Sequence, residues 1–103
     1  KHANEQIVKI DIKDGLVYDK SAGTLITNND VANELNKKEK ALLEILLENK
    51  KNPTSYFELE QKIWTANDEV MTLSALRTLA THLRKKSPIK FIKNISGSGY
   101  IIN

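Results

Sequence analysis

The chain contains no cysteine. Disulfides, thiolate metal sites and cysteine nucleophiles are therefore excluded, and a reducing, cytoplasmic location is the expectation. Long apolar runs are missing as well. No stretch reaches the roughly 18 residues that a membrane-crossing helix needs, so no membrane contact is expected. The two histidines, His2 and His82, stand far apart and offer no ligand cluster; neither a metal nor another cofactor is expected. No nucleophile–base pair and no glycine-rich phosphate loop opening a helix is present, which sets an enzyme aside. The most informative absence concerns acid. Residues 71–103 carry six cations (Arg77, Arg84, Lys85, Lys86, Lys90, Lys93) and not one carboxylate.

What is there reads as one ordered domain spanning 1–103, with 40% hydrophobic residues among mixed charges. The net charge of +3 is uninformative, but its distribution is not: residues 1–35 sum to −2, 36–70 to −1 and 71–103 to +6. A one-sided block of this kind marks a surface that meets a polyanion.

The first third alternates with period two. "IVKIDI" (Ile7 to Ile12), "LVYD" and "GTLITNND" read as strands, with Asp14-Gly15 as a hairpin turn and "DVANEL" (Asp30 to Leu35) as a fourth, weaker strand. The period then becomes helical. Asn36 as N-cap with Glu39 three residues on forms a capping box ahead of Leu42, Leu43, Ile45, Leu46 and Leu47. Ser55 and Glu58 suggest a second box, followed by Leu59, Ile63 and Trp64 on one face. A polar loop fills 65–72, and a third helix is predicted from Thr72 to Lys86, closed by Ser87-Pro88. "IKFIKNI" and "YIIN", joined by Ser96 to Gly99, make a final hairpin. The order predicts an α+β fold: an N-terminal antiparallel sheet, three helices and a C-terminal β-hairpin, which is a winged helix-turn-helix plan.

On a wheel centred on Leu76, Leu73, Leu79, Ala80 and Leu83 fall within about 60° and form the predicted buried stripe. Ser74, Thr78, Thr81 and Lys85 face the other way, flanked by Arg77 and Arg84 on one side and His82 on the other. Small hydroxyls allow close approach of the backbone, while long cations reach sideways. A DNA major groove needs that combination. A helix built only for solvation would carry Glu among its cations for i,i+4 pairing, and this one carries none. Trp64 and Tyr100 are read as core, and Lys37, Lys38 and Lys40 as solvated.

From Leu35 to Ile102 the chain resembles the effector domain of OmpR/PhoB-type response regulators. The resemblance rests on "LNKKEKALLEILLEN", "SYFELEQKIW", "LRTLATHLRKK" and "IKNISGSGYII", in order and at the right spacing. It implies a sheet platform ahead of the helices, a recognition helix at about 72–86 and a wing at 96–100. It also implies a 65–72 loop that touches RNA polymerase in some relatives, dimeric binding to repeats, and a phosphorylatable receiver domain upstream. Residues 1–6 would then be a linker remnant and the chain a C-terminal effector fragment. The chain departs from the family pattern at Arg77, His82 and Ser96, which implies an operator of its own and a shallower salt dependence.

Sequence-specific binding of double-stranded DNA is accordingly the leading expectation. Arg77, Thr78, Thr81 and His82 would face base edges, with Ser74 on the same surface. Arg84, Lys85 and Lys86 would neutralise phosphates. Lys93, Gly97 and Ser98 would follow the neighbouring backbone or minor groove. The alternative is a winged-helix protein-interaction module without DNA binding, which would show no salt-sensitive duplex affinity.

Overall fold

The computed structural model describes residues 8–27, 32–64, 69–87 and 89–102. Strands β1 (Lys9–Lys13), β2 (Leu16–Asp19), β3 (Thr24–Ile26) and β4 (Ala32–Glu34) form an antiparallel sheet in that spatial order. The predicted turn at Asp14-Gly15 is present, with φ of +47° and +87° at its two residues. Both take the left-handed region that a tight two-residue hairpin demands. Alternation then places Ile12, Leu16, Tyr18 and Leu25 on the buried face. The first predicted strand begins at Ile7, outside the described residues, as do Asp30 and Val31 of the fourth.

Helix α1 (Lys37–Glu48) starts from the predicted capping box. Asn36 Oδ1 accepts from the Glu39 N–H at 2.8 Å, and Glu39 Oε1 accepts from the Asn36 N–H at 2.9 Å. Two backbone donors that the helix leaves unpaired are thereby satisfied. Leu42, Leu43, Ile45 and Leu46 are buried, and α1 packs against both later helices and the last strand. The Tyr18 hydroxyl donates to Glu44 Oε2 at 2.6 Å, joining the sheet to α1.

A two-residue strand follows that periodicity could not announce. β5 (Thr54–Ser55) pairs with the C-terminal hairpin, Thr54 opposite Tyr100. Helix α2 (Tyr56–Ile63) is capped by Ser55, whose Oγ accepts from the Glu58 N–H at 3.1 Å. The second half of that predicted box is replaced. Glu58 turns outward to Lys62 Nζ at 3.0 Å and Asn49 Nδ2 at 3.3 Å. Those two bonds hold its carboxyl below the ordinary range.

Helix α3 (Leu73–Arg84) lies within the predicted 72–86, with Thr72 as N-cap and Lys85 as C-cap. Leu76, Leu79, Ala80 and Leu83 are buried as the wheel requires. Leu73 is not: it is 49% exposed. It opens the helix beside exposed Ser74 and Ala75, and a wheel gives direction around the axis without saying where the neighbouring elements end. Strands β6 (Ile92–Ile95) and β7 (Gly99–Ile102) form the predicted hairpin and, with β5, a sheet in the order β5-β7-β6. Sheet, helices and hairpin share one apolar core that includes Leu16, Tyr18, Leu46, Leu83, Phe91 and Tyr100.

Candidate nucleic-acid interface

The N-cap of α3 is made by Thr72, whose Oγ1 accepts from the Ala75 N–H at 3.0 Å. Leu76, Leu79, Ala80 and Leu83 then hold one side of the helix in the core. On the outer side Ser74, Arg77, Thr78, His82 and Lys85 are exposed, and Thr81, Arg84 and Lys86 are half-buried. All of these except Lys86, which the wheel did not place, were predicted to lie on or beside the outer face, and no acid interrupts the surface within α3.

The turn of the hairpin is closed by the Ser98 N–H, which donates to the Ile95 carbonyl at 2.9 Å. Lys93, Asn94, Ser96, Gly97 and Ser98 are all exposed around it. Its two glycines serve different ends. Gly97 takes φ +75° with nothing within 4 Å of a notional Cβ, so backbone conformation alone selects it. Gly99 takes φ +156°, and a Cβ there would meet the Thr54 carbonyl oxygen at 1.7 Å. The close approach of β5 and the positive φ both demand glycine at that position.

Hairpin and helices meet through two tyrosines. The rings of Tyr56, at the start of α2, and Tyr100, in β7, pack edge to face at 6.0 Å. The Tyr56 hydroxyl donates to Asn94 Oδ1 at 3.1 Å. Burial pushes the Tyr100 phenol above its ordinary pKa and the adjoining Tyr56 adds to it, while the charges of Arg84 and Arg77 pull against both. Leu83 of α3 and Phe91, Ile92 and Tyr100 of the hairpin region share one core, which brings helix and hairpin together.

A family model described as "Transcriptional regulatory protein, C terminal" matches residues 30–102. The chain belongs to this family. Three solved structures locate the effector domain among its relatives. The DNA-binding domain of Bacillus subtilis CssR superposes with a TM-score of 0.74 at 25% identity, over 85% of this chain and 99% of that one. The Thermotoga maritima response regulator DrrB, an OmpR/PhoB homologue, gives 0.76 at 23% identity, over 92% of this chain and 44% of that one. The Klebsiella pneumoniae RstA DNA-binding domain, in complex with the RstA box, gives 0.71 at 18% identity, over 91% and 95%. The latter two speak for the fold alone. No curated protein matches the chain in sequence. The winged helix-turn-helix plan read from element order is therefore the observed one.

Within the effector domain Lys86 differs from the other basic residues of the run. It was expected to neutralise a phosphate, but its ammonium is already engaged: Nζ lies 2.7 Å from Glu39 Oε1 and donates to the Glu34 carbonyl at 2.7 Å. Its own carbonyl accepts from Asn33 Nδ2 at 2.9 Å. A lysine at the end of a basic run looks like any other in sequence, and its partners lie 47 to 53 positions away.

Trp64 caps α2 and is partly buried against the core, with Lys38 Nζ 5.2 Å above its ring. Reading Lys38 as merely solvated missed that contact. Thr65 to Asp68 of the loop expected to meet RNA polymerase lie outside the described residues; Val70 in the same loop is 84% exposed. Tyr56 and Asn94 also escaped the sequence reading, since a tyrosine opening an amphipathic helix carries no signal that it will lean on a hairpin distant in the chain.

Proposed function

We propose that this effector domain binds double-stranded DNA sequence-specifically as the output module of a response regulator. The acid-free outer surface of α3, with exposed Arg77 and Thr78 and the hairpin on the same core, carries the proposal. Helix α3 enters a major groove, where Arg77, Thr78, Thr81 and His82 face base edges and Ser74 lies on the same surface. Arg84 and Lys85 neutralise phosphates. The wing places Lys93, Gly97 and Ser98 along the neighbouring backbone or minor groove. A receiver domain upstream, binding as a dimer to repeated half-sites, a contact of the 65–72 loop with RNA polymerase and a cytoplasmic setting complete the reading. Among the described residues no helix is long and apolar enough to cross a membrane.

The test is selection of bound sequences from a random duplex library at two salt concentrations. Enrichment of a short motif whose affinity falls with salt is the expected result. Recovery of random sequences with the same salt dependence would reduce α3 to a phosphate clamp. No recovery at either salt would favour a protein-binding module, for which exposed Phe57, Val70 and Leu73 supply apolar contact area.

A further inference from the structure

Lys86 is the first residue beyond the C-cap of α3, and it is held at both ends. Asn33 Nδ2 grips its carbonyl at 2.9 Å, while its ammonium reaches the Glu34 carbonyl and Glu39 Oε1, each at 2.7 Å. Asn33 and Glu34 belong to β4, an edge strand of the N-terminal sheet. Glu39 opens α1 and is 2% exposed. Its Oε1 also accepts from the Asn36 N–H that completes the capping box. One lysine therefore ties the end of α3 to the beginning of α1 and to the sheet.

Moving that ammonium to a phosphate would leave the Glu39 carboxylate buried without its cation. An uncompensated buried charge costs more than a solvated phosphate contact supplies. Lys85, one position earlier, is exposed, and among the described residues no side-chain hydrogen bond makes a competing claim on it. Two adjacent lysines thus divide into one that faces solvent and one that faces the fold.

We propose, resting on the DNA-binding reading above, that Lys86 is a positioning residue for base readout. With Glu39, Asn33 and the Glu34 carbonyl it fixes the end of α3 on α1 and β4, and so sets the angle at which Arg77, Thr78 and Thr81 meet the bases. It is not one of the phosphate contacts. The coupling extends to the N-terminal sheet: whatever shifts β4 shifts the lysine that holds the recognition helix.

The measurement is affinity of the whole domain for its selected duplex and for a scrambled duplex, across a salt series. The variants are Lys86→Met, Glu39→Gln, Asn33→Ala and the control Lys85→Met. The control is expected to weaken both duplexes alike and to reduce the slope of log K against log salt by about 0.9. Lys86→Met is expected to leave the slope unchanged and to lower the preference for the selected duplex about tenfold, comparable to the readout of one base pair. Glu39→Gln, which keeps a capping-box side chain, is expected to lower the preference similarly although it removes an acid. Asn33→Ala changes no charge and is expected to act in the same direction. The Lys86→Met, Glu39→Gln double variant should be no worse than either single one.

A Lys86→Met slope reduced by about 0.9 with the preference intact would overturn the inference. So would a Glu39→Gln domain that binds more tightly with its preference unchanged. Should Lys86→Met fail to fold, Glu39→Gln and Asn33→Ala decide the matter by the same criteria. A parent domain with no salt-dependent preference would overturn the DNA-binding reading itself, an outcome distinguishable from both.

Discussion

At the scale of single residues, the two wing glycines share a positive φ but differ in what surrounds them. Alanine at Gly97 meets no atom within 4 Å, and only its φ of +75° resists substitution. The expected loss is about 1–2 kcal/mol. Alanine at Gly99 meets the Thr54 carbonyl oxygen at 1.7 Å and its carbon at 2.6 Å. Backbone atoms cannot turn aside as a side-chain tip can, so β5 must part from β7, at a cost of about 3 kcal/mol or more. Denaturant unfolding of the two variants checks the order; Gly97→Ala the more damaging would refute it. Positive φ thus favours glycine at both positions, and the approach of β5 adds a second demand at Gly99.

At the scale of elements, α3 combines two kinds of side chain on one outer surface. Arg77 lies mid-helix beside Thr78, whereas Lys85 sits at the C-cap. Under the groove-binding proposal, Arg77→Ala costs about 1–3 kcal/mol of affinity and relaxes base preference at one position. Lys85→Ala weakens all sequences alike and flattens the salt dependence. Binding measured on a panel of single-base duplex variants distinguishes them. Equal losses on every duplex for both substitutions would remove base readout from Arg77. The helix also shows what amphipathicity conveys and what it omits. Leu76, Leu79, Ala80 and Leu83 are buried as the wheel places them, but exposed Leu73 shows that the stripe continues past the elements it packs on.

At the scale of the whole molecule, the N-terminal sheet, the helices and the hairpin share one core, and two buried tyrosines report on it. Burial raises the Tyr18 phenol far above its ordinary value, and its hydrogen bond to Glu44 raises it further. Tyr100 is raised too, by burial first. In the unfolded chain both lose their protons near pH 10, whereas in the folded chain they hold them to higher pH. Above that pH the folded state binds more protons than the unfolded, so stability falls as pH rises and is insensitive to these groups below it. Tyr18→Phe has no proton to lose. It is expected to cost about 1 kcal/mol at neutral pH and to lessen the decline above pH 10. Unfolding midpoints of both proteins across pH 7 to 11 test this; parallel decline would show that Tyr18 does not contribute.

The order of the longer elements, the cap of α1 and the basic, acid-free final third were legible in the sequence, because they depend on neighbours within a few positions. Asn36 and Glu39 form their box from three residues apart, and Asp14-Gly15 makes its turn unaided. The same locality made the winged helix-turn-helix plan and the outer surface of α3 readable. What required the tertiary structure were contacts between distant segments. β5 exists only because β7 lies beside it, and Glu58 leaves its expected cap for Lys62 and Asn49. Lys86 resembles Lys85 in every local respect, yet a buried carboxylate 47 positions earlier claims its charge. Local pattern sets which side chains face outward; the fold alone decides which of those outward charges are already spoken for.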